Sequence, residues 1–555
     1  MSKTAAERVL DTASLRDGDE SLSIRRTPEL VIALVGPVAS GVTTTGKILS
    51  RLLSEEYGYK TYSYRISDFI KSSAHLVGKP IGNDISADER VRLLQDAGNT
   101  LREKLGGGYL VAKCIEAINQ SRAREGLEKG ADGAPDRPKA IRVAHIIDSI
   151  KNPAEVEQLQ QVYGRMFWLF AVFAPEKVRK LRLTQSGCEK ASQDYIIEHD
   201  QNESIPYGQK VRDTIELADF FIRNDQENDQ SLTATVSRYL EILFNFTIHT
   251  PTVDECAMYD AQAAASNSAC MSRQVGAAVY SSEGQLLSVG WNDVPKFGGG
   301  LYKSEDGVRD HRCFKWAGKI CHNDLNKSAL KNKMYIALHA DAQARWRDAV
   351  KALTERVSQK ESTDKNFWQY VLLELKSFES RGSGIDRASF DLAAKNCGID
   401  SLIEYSRAVH AEMDAIISAA RSGVGLRGAT LYCTAFPCHS CARHIIAAGI
   451  SRVVYIEPYP KSRAHELHSD AIAVDDGAKD SSKAMFIQYD GVAPKNVLSL
   501  FKSGAQRKSS MDGRFIQKSK KELLPLFMPA VEGFATNEMF VVRDLEAKER
   551  RIMGA

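Results

Sequence analysis

No run of about 18 consecutive apolar residues occurs in this chain, so nothing in it has the length of a bilayer-crossing helix. Residues 1–27 mix both charges and lack the apolar centre of a secretory signal; a flexible tail is expected there. Cysteine is sparse, 10 in 555 residues, which excludes a disulfide scaffold and favours a reducing, cytoplasmic setting where clustered Cys and His hold metal. Excess charge is missing too: 74 basic side chains stand against 71 acidic, and the net of +3 gives no field to draw a polyanion. The most basic stretch, residues 502–521, is expected to be a solvated loop, and no internal repeat is visible. What is present is a globular composition, 43% hydrophobic and 26% charged, in a chain too long for one core. That length predicts about two to four domains.

The first half alternates apolar strands with helical stretches. Residues 30–36 form a buried-strand run ending in glycine, and residues 43–53 follow with helical spacing. Further strands are expected at 61–66, 141–147, 167–173 and 218–222, and helices at 88–105 and 153–161. This alternation predicts βαβ units and a parallel sheet covered on both faces. The Gly-, Pro- and charge-rich segment 121–140 is expected as a surface loop. The second half begins with helical spacing at 256–269 and two strands, 276–280 and 286–290, joined by the turn Ser281-Ser282-Glu283-Gly284. A polar, helically patterned insertion spans 296–404. After it come helix 410–421, strand 429–436, helix 438–449 and strand 452–457. The expected division is a tail at 1–27, an N-terminal domain at 28–245, a second domain at 250–475, and an extension at 476–555 packing on that second domain.

The chemistry concentrates in two short segments. Ala408-Val409-His410-Ala411-Glu412 offers an imidazole and a carboxylate two residues apart. Phe436-Pro437-Cys438-His439-Ser440-Cys441 offers two thiols three apart at the start of an expected helix. That spacing turns both sulfurs to one side, and the unpaired N–H groups of a helix start favour thiolate. One imidazole and two thiolates make a tetrahedral site with its fourth position open to water, the arrangement of catalytic rather than structural zinc. Zinc in such a site brings its water to a pKa of about 7. Glu412 lies close to it without being a ligand, free to move protons. H-x-E paired with P-C-x-x-C is a zinc-deaminase signature. A structural zinc would need a fourth protein ligand, and His439, next to Cys438, is badly placed for the same ion.

Upstream, Ser272-Arg273-Gln274-Val275-Gly276-Ala277 leads into the hairpin and Gly290-Trp291-Asn292-Asp293-Val294-Pro295 leaves it. Asn292, at a strand end before a proline turn, suits either a sugar hydroxyl or the turn itself. With residues 410–412 and Leu431-Tyr432-Cys433-Thr434-Ala435-Phe436-Pro437-Cys438, these runs resemble the deoxycytidylate deaminase family. The resemblance covers residues 252–295 and 405–475. It implies an α/β/α cytidine-deaminase fold, zinc held by His410, Cys438 and Cys441, Glu412 as catalytic acid and base, and substrate contacts at Asn292, Arg273 and Tyr459. The insertion, the stretch Tyr455-Ile456-Glu457-Pro458-Tyr459-Pro460-Lys461-Ser462 and the N-terminal half depart from the short members. With these features most of the chain resembles the two-domain bacterial anti-phage dCTP deaminases. That implies depletion of dCTP during phage infection, a homo-oligomer, and an inhibitory RNA or protein partner. The insertion also holds His311, Cys313, Cys321 and His322, a set that suits a second zinc or stays reduced and unligated.

In the N-terminal half, strand 31–35 runs into Gly36-Pro37-Val38-Ala39-Ser40-Gly41-Val42-Thr43-Thr44. Against the phosphate-loop pattern G-x-x-x-x-G-K-[ST], Gly36, Gly41 and Thr43 fit, with Ser40 and Thr44 beside them. Val42, however, stands where the lysine belongs. Lys47 lies about one helical turn on, along a different path. The loop's N–H groups and the helix start still suit an anion, while the missing ammonium removes a group that stabilises a transferring phosphate. Asp148 is the candidate for a metal-water contact, and Arg179 and Arg182 sit where a lid would. This half, including Ala218-Asp219-Phe220-Phe221-Ile222, resembles the nucleoside and nucleotide kinase fold. A regulatory domain binding a purine nucleotide or another regulator is expected over an active kinase; a fold that binds nothing is the alternative.

The leading expectation is therefore an α/β protein, a kinase-like parallel sheet joined to a zinc deaminase, that hydrolyses a free deoxycytidine nucleotide: dCTP first, dCMP next. A second hypothesis gives the deaminase an RNA or single-stranded DNA substrate, against which the balanced charge argues. A third makes the chain a nucleotide-binding switch that recruits a partner.

Overall fold

The computed structural model describes residues 26–82, 85–125, 127–128, 137–138, 141–201, 209–226, 229–358, 365–382, 385–459, 462–474, 482–502, 507–516 and 518–554. Residues 1–25 of the expected tail, most of the 121–140 loop, parts of the basic stretch 502–521, and Pro460 and Lys461 lie outside the described residues.

In the first half, β1 (Leu30–Val35), β2 (Lys60–Arg65), β3 (Val143–Ile150), β4 (Phe167–Phe173) and β5 (Phe220–Arg223) run parallel in the order β2-β3-β1-β4-β5. The alternation along β1 shows why its sequence is an unbroken apolar run. Val31, Ala33 and Val35 enter the core on one face, and Leu30, Ile32 and Leu34 enter a second core on the other. The helix Val42–Glu55 leaves the end of β1 through the glycine loop. A sheet wound in this order opens a crevice at the carboxyl ends of its strands.

The second sheet comprises β6 (Gly276–Tyr280), β7 (Leu286–Trp291), β8 (Thr430–Ala435), β9 (Arg452–Glu457), β10 (Ile472–Val474) and β11 (Ala484–Gln488), ordered β10-β11-β9-β8-β6-β7. The hairpin β6–β7 joins β8 antiparallel, and β8, β9, β11 and β10 are parallel. The helix Val253–Ala265 covers one face, packing Ala257, Met258 and Ala261 with Ala278, Tyr432 and Val454. The helices Ala411–Arg421 and His439–Ala447 cover the other with Ala415, Ala442 and Ile445. The result is the expected α/β/α layering. Gly290 is required here: a Cβ on it would lie 2.3 Å from the Ala415 nitrogen and 2.4 Å from the Ala411 oxygen. The helix carrying Glu412 thereby rests directly on β7. The insertion is helical as its pattern predicts, with helices His322–Ser358, Lys365–Gly382 and Arg387–Asn396.

The two halves share one core, since Ala257, Met258 and Tyr432 belong to the same buried cluster as Val31 and Val35. At the seam, buried Glu255 accepts two hydrogen bonds from Arg238 (2.9 and 2.7 Å) and one from the Val492 N–H (3.0 Å). The C-terminal extension corrects one expectation. Rather than packing on the deaminase half, it is divided between both. Residues 484–488 complete the second sheet as β11, while β12 (Gly491–Val492) joins β5 as an antiparallel edge of the first. The last helix, Val531–Met553, lies on the helix Tyr109–Glu125 of the first half. Its buried Val531, Phe534 and Leu545 enter that core, and its Glu538 pairs with Arg122, which also pairs with Glu29. Its many charges concealed this apolar face in the sequence.

Candidate active site

Two helix starts bring the predicted ligands together. His410 is the N-cap of Ala411–Arg421, outside the helix proper, and its neighbour Val409 is bridged to Asp293. Cys438 is the N-cap of His439–Ala447, where its sulfur accepts the Cys441 N–H at 3.4 Å. His410 Nδ1 lies 3.3 Å from both Cys438 Sγ and Cys441 Sγ. In tetrahedral zinc, with Zn–N of about 2.0 Å and Zn–S of about 2.3 Å, neighbouring N and S atoms are about 3.5 Å apart. The donor set and its spacing therefore fit zinc. Among the described residues this is the one group of three Cys, His or acidic side chains with ligand atoms within 4.8 Å of one another. His439 is directed elsewhere, 4.0 Å from Glu404.

The electrostatics follow from these contacts. The hydrogen bond from Cys441, then that with His410, pulls the Cys438 thiol down to about 4 despite burial. The bond to Cys438 raises His410 to about 9. Glu412 is 4% exposed, and burial pushes its carboxyl up against the pull of His410. A buried carboxyl beside the three ligands is suited to taking and returning a proton.

His410, Glu412 and Cys438 line a cavity of about 260 Å³, and Cys441 lies buried behind them. Arg273, Asn292 and Tyr459, the predicted substrate contacts, all line it. The Asn292 amide also braces the wall, accepting the Val275 N–H at 2.7 Å and donating to the Arg273 oxygen at 2.8 Å. It thus serves the turn, one of its two expected roles, while facing the cavity. Arg273 is ion-paired with Glu457. The insertion supplies further lining through Cys313, Cys321, His322 and Asn323. It is docked by Arg312, which pairs with Asp310 (2.8 Å) and reaches Asp293 (3.8 Å). The candidate second zinc set does not bring three ligand atoms within 4.8 Å of one another. The His311 ring instead lies against Tyr302 and Trp316, and the His322 ring against Trp316.

Two residues of this cavity carry no motif of their own. Cys270 precedes the 272–277 run by two positions, and Arg407, 4.0 Å over the Trp316 ring, precedes His410 by three. A census of Cys and Arg flanking the motifs would have found both. A second cleft adjoins the first, sharing Ser272, Cys321 and Tyr459, and presents Lys319 and Lys327 together with Asp324 and Asp400.

In the first half, a cavity of about 490 Å³ is lined by Gly36, Ser40, Gly41, Thr43, Thr44 and Asp148, all of the predicted loop set. Thr43 donates to Asp148 at 2.8 Å, which joins the loop hydroxyl to the candidate for a metal-water contact. Gly41 has φ 96°, a left-handed turn that favours glycine. Arg182 donates to the oxygens of Ala39 and Ser40 at 3.3 and 3.2 Å, bracing the loop. Lys47 does not reach the cavity.

Comparison with known proteins agrees with this division. Residues 381–457 match the family model described as the cytidine and deoxycytidylate deaminase zinc-binding region. Deoxycytidylate deaminase of Enterobacteria phage T2 is 40% identical over 74 residues, 13% of this chain and 39% of that protein. The chain therefore matches less than half the length of this relative. A UPF0200 protein of Saccharolobus islandicus is 24% identical over 203 residues, 36% of this chain and 90% of that protein. Among solved structures, the dCMP deaminase of cyanophage S-TIM5 in complex with dCMP and dUMP is 17% identical, covers 43% of this chain and 98% of its own, and has a TM-score of 0.21.

Proposed function

We propose that the chain deaminates a free deoxycytidine nucleotide by zinc-dependent hydrolysis, dCTP first and dCMP next, giving the deoxyuridine nucleotide and ammonia. The observation that carries this is the convergence of His410, Cys438 and Cys441 beside buried Glu412, with His410, Cys438 and Glu412 lining one cavity. Zinc held by the three ligands supplies the Lewis acid that makes water nucleophilic near neutral pH. Glu412 accepts a proton from the attacking water at its carboxylate. It returns that proton to the pyrimidine ring nitrogen, then takes the remaining proton of the added hydroxyl and passes it to the leaving amine, so that oxygen ends on the ring carbon as a carbonyl and nitrogen departs as ammonia. Asn292 and Tyr459 line the wall expected to meet the sugar, with Arg273 beside them.

The preference for a triphosphate rests on cations. Arg273 and Arg407 line the cavity, and Lys319 and Lys327 line the adjoining cleft. A phosphate chain extending from the sugar passes from the first pair toward the second. A free nucleotide is favoured over a polynucleotide because the net charge of +3 gives no field to draw a polyanion. The physiological use we propose is depletion of dCTP during phage infection, in the cytoplasm, by a homo-oligomer that a nucleotide at the first half or an inhibitory partner holds in check. Ammonia release from dCMP, dCDP and dCTP by the zinc-loaded chain tests the chemistry, with dCTP expected to give the highest kcat/KM. Conversion of cytidine-containing oligonucleotides alone would contradict it. Nucleotide pools in infected cells expressing wild type or Glu412→Gln test the biological role.

A further inference from the structure

The loop of the first half lacks its lysine, yet its cavity holds an ammonium from elsewhere. Lys151, just past the end of β3, donates from Nζ to the Gly36 oxygen at 2.7 Å and pairs with Asp200 at 2.9 Å. Asp200 comes from the helix Lys190–Gln201, and its other oxygen accepts the Val38 N–H of the loop at 2.6 Å. A loop N–H and an ammonium converging on one anionic oxygen pair are the donors that a bound phosphate uses. The carboxylate of Asp200, 2% exposed, therefore stands as an internal anion where a ligand's anion belongs.

The surroundings are left short of partners. Ser40, fully buried, and Gln95, 5% exposed, line the cavity with Oγ and Oε1 unpartnered among the described residues. Arg179, 4% exposed and within the electrostatic reach of Asp200, has Nε and Nη1 unpartnered in the same sense. A closed structural plug would satisfy these groups, because unpaired buried polar atoms cost stability. With Thr43 and Asp148 at a cation position, the cavity offers loop N–H groups, the Lys151 ammonium and a metal-water contact in a volume of about 490 Å³.

We infer that this cavity binds the polyphosphate group of a nucleotide with Lys151 in the role of the missing loop lysine, and that Asp200 is an internal competitor which the incoming phosphate displaces. This rests on the proposed binding of a nucleotide at the first half and is independent of the deaminase chemistry and its substrate.

Titration of the full chain with inorganic tripolyphosphate and Mg²⁺, followed by calorimetry, separates the outcomes. Lys151→Met is expected to weaken binding about tenfold, the loss of one charge-assisted contact. Asp200→Asn, nearly isosteric, is expected to tighten it by about threefold to tenfold, because the competing charge is gone. Asp200→Ser serves as the second variant if Asn disturbs the helix, and circular dichroism reports folding. Unchanged affinity in folded Lys151→Met, or unchanged or weaker affinity in both folded Asp200 variants, overturns the inference, as does absence of tripolyphosphate binding in wild type and every variant.

Discussion

The two halves each build a charged centre at a strand end and a helix start, and they differ in how complete that centre is. In the second half, His410, Cys438, Cys441 and Glu412 converge, all buried or partly buried, with none missing from the pattern. In the first half the loop is intact in its glycines and hydroxyls but Val42 replaces its lysine, and Lys151 and Asp200 fill the space from 115 and 162 residues away along the chain. A centre whose chemistry needs fixed ligands keeps them in short local motifs. A centre that only has to hold an anion is free to draw its charge from any neighbouring element.

The largest effect expected is on the metal. Cys438→Ala removes a ligand and the cap of the helix His439–Ala447; zinc falls from about one per chain to near zero and deamination falls below detection. Elemental analysis and ammonia release check it together. Glu412→Gln keeps the ligands and removes the proton carrier, so zinc stays bound while kcat falls about 10²- to 10⁴-fold. If both variants lose metal equally, the distinction between ligand and proton carrier fails. Glu538→Ala acts on the contact of the last helix with the first half rather than on either centre. It strips Arg122 of one of two buried carboxylate partners and is expected to cost about 3 kcal/mol, seen as a lower denaturant midpoint. Arg312→Ala releases the insertion from Asp293; KM for dCTP rises about threefold to tenfold with a smaller change in kcat. An unaltered KM would show that the insertion does not shape the substrate cavity.

How much was legible in the sequence follows the same contrast. The strand β1, the hairpin β6–β7 and both ligand helices were readable because their signals are local: an unbroken apolar run, alternation around a turn, and His or Cys at a cap. Thr43 and Asp148 were each recognisable, from the loop pattern and from the strand-end aspartate, while the hydrogen bond that joins them is seen only in the fold. Lys151 and Asp200 were not, since a lysine after a strand and an aspartate late in a helix look like ordinary solvated charges until the fold brings them to the loop. The lining supplied by Cys313, Cys321 and His322 was noticed as a cluster and left open between a second zinc and reduced cysteines, because spacing along the chain does not reveal that both histidines pack against Trp316. The helix Val531–Met553 hid its role for a related reason: Glu538 and its charged neighbours suggest solvent, while burial against Arg122 is a property of the partner helix.

The central claim is that His410, Cys438 and Cys441 hold a catalytic zinc for which Glu412 carries the proton. Its most direct test is ammonia release from dCTP by purified wild type and Glu412→Gln, with zinc content measured on the same samples. The account predicts equal zinc in both, rapid ammonia release from wild type, and a rate lower by about 10²-fold or more in the variant. Equal rates in the two proteins, or no ammonia from zinc-loaded wild type with any deoxycytidine nucleotide, would contradict it.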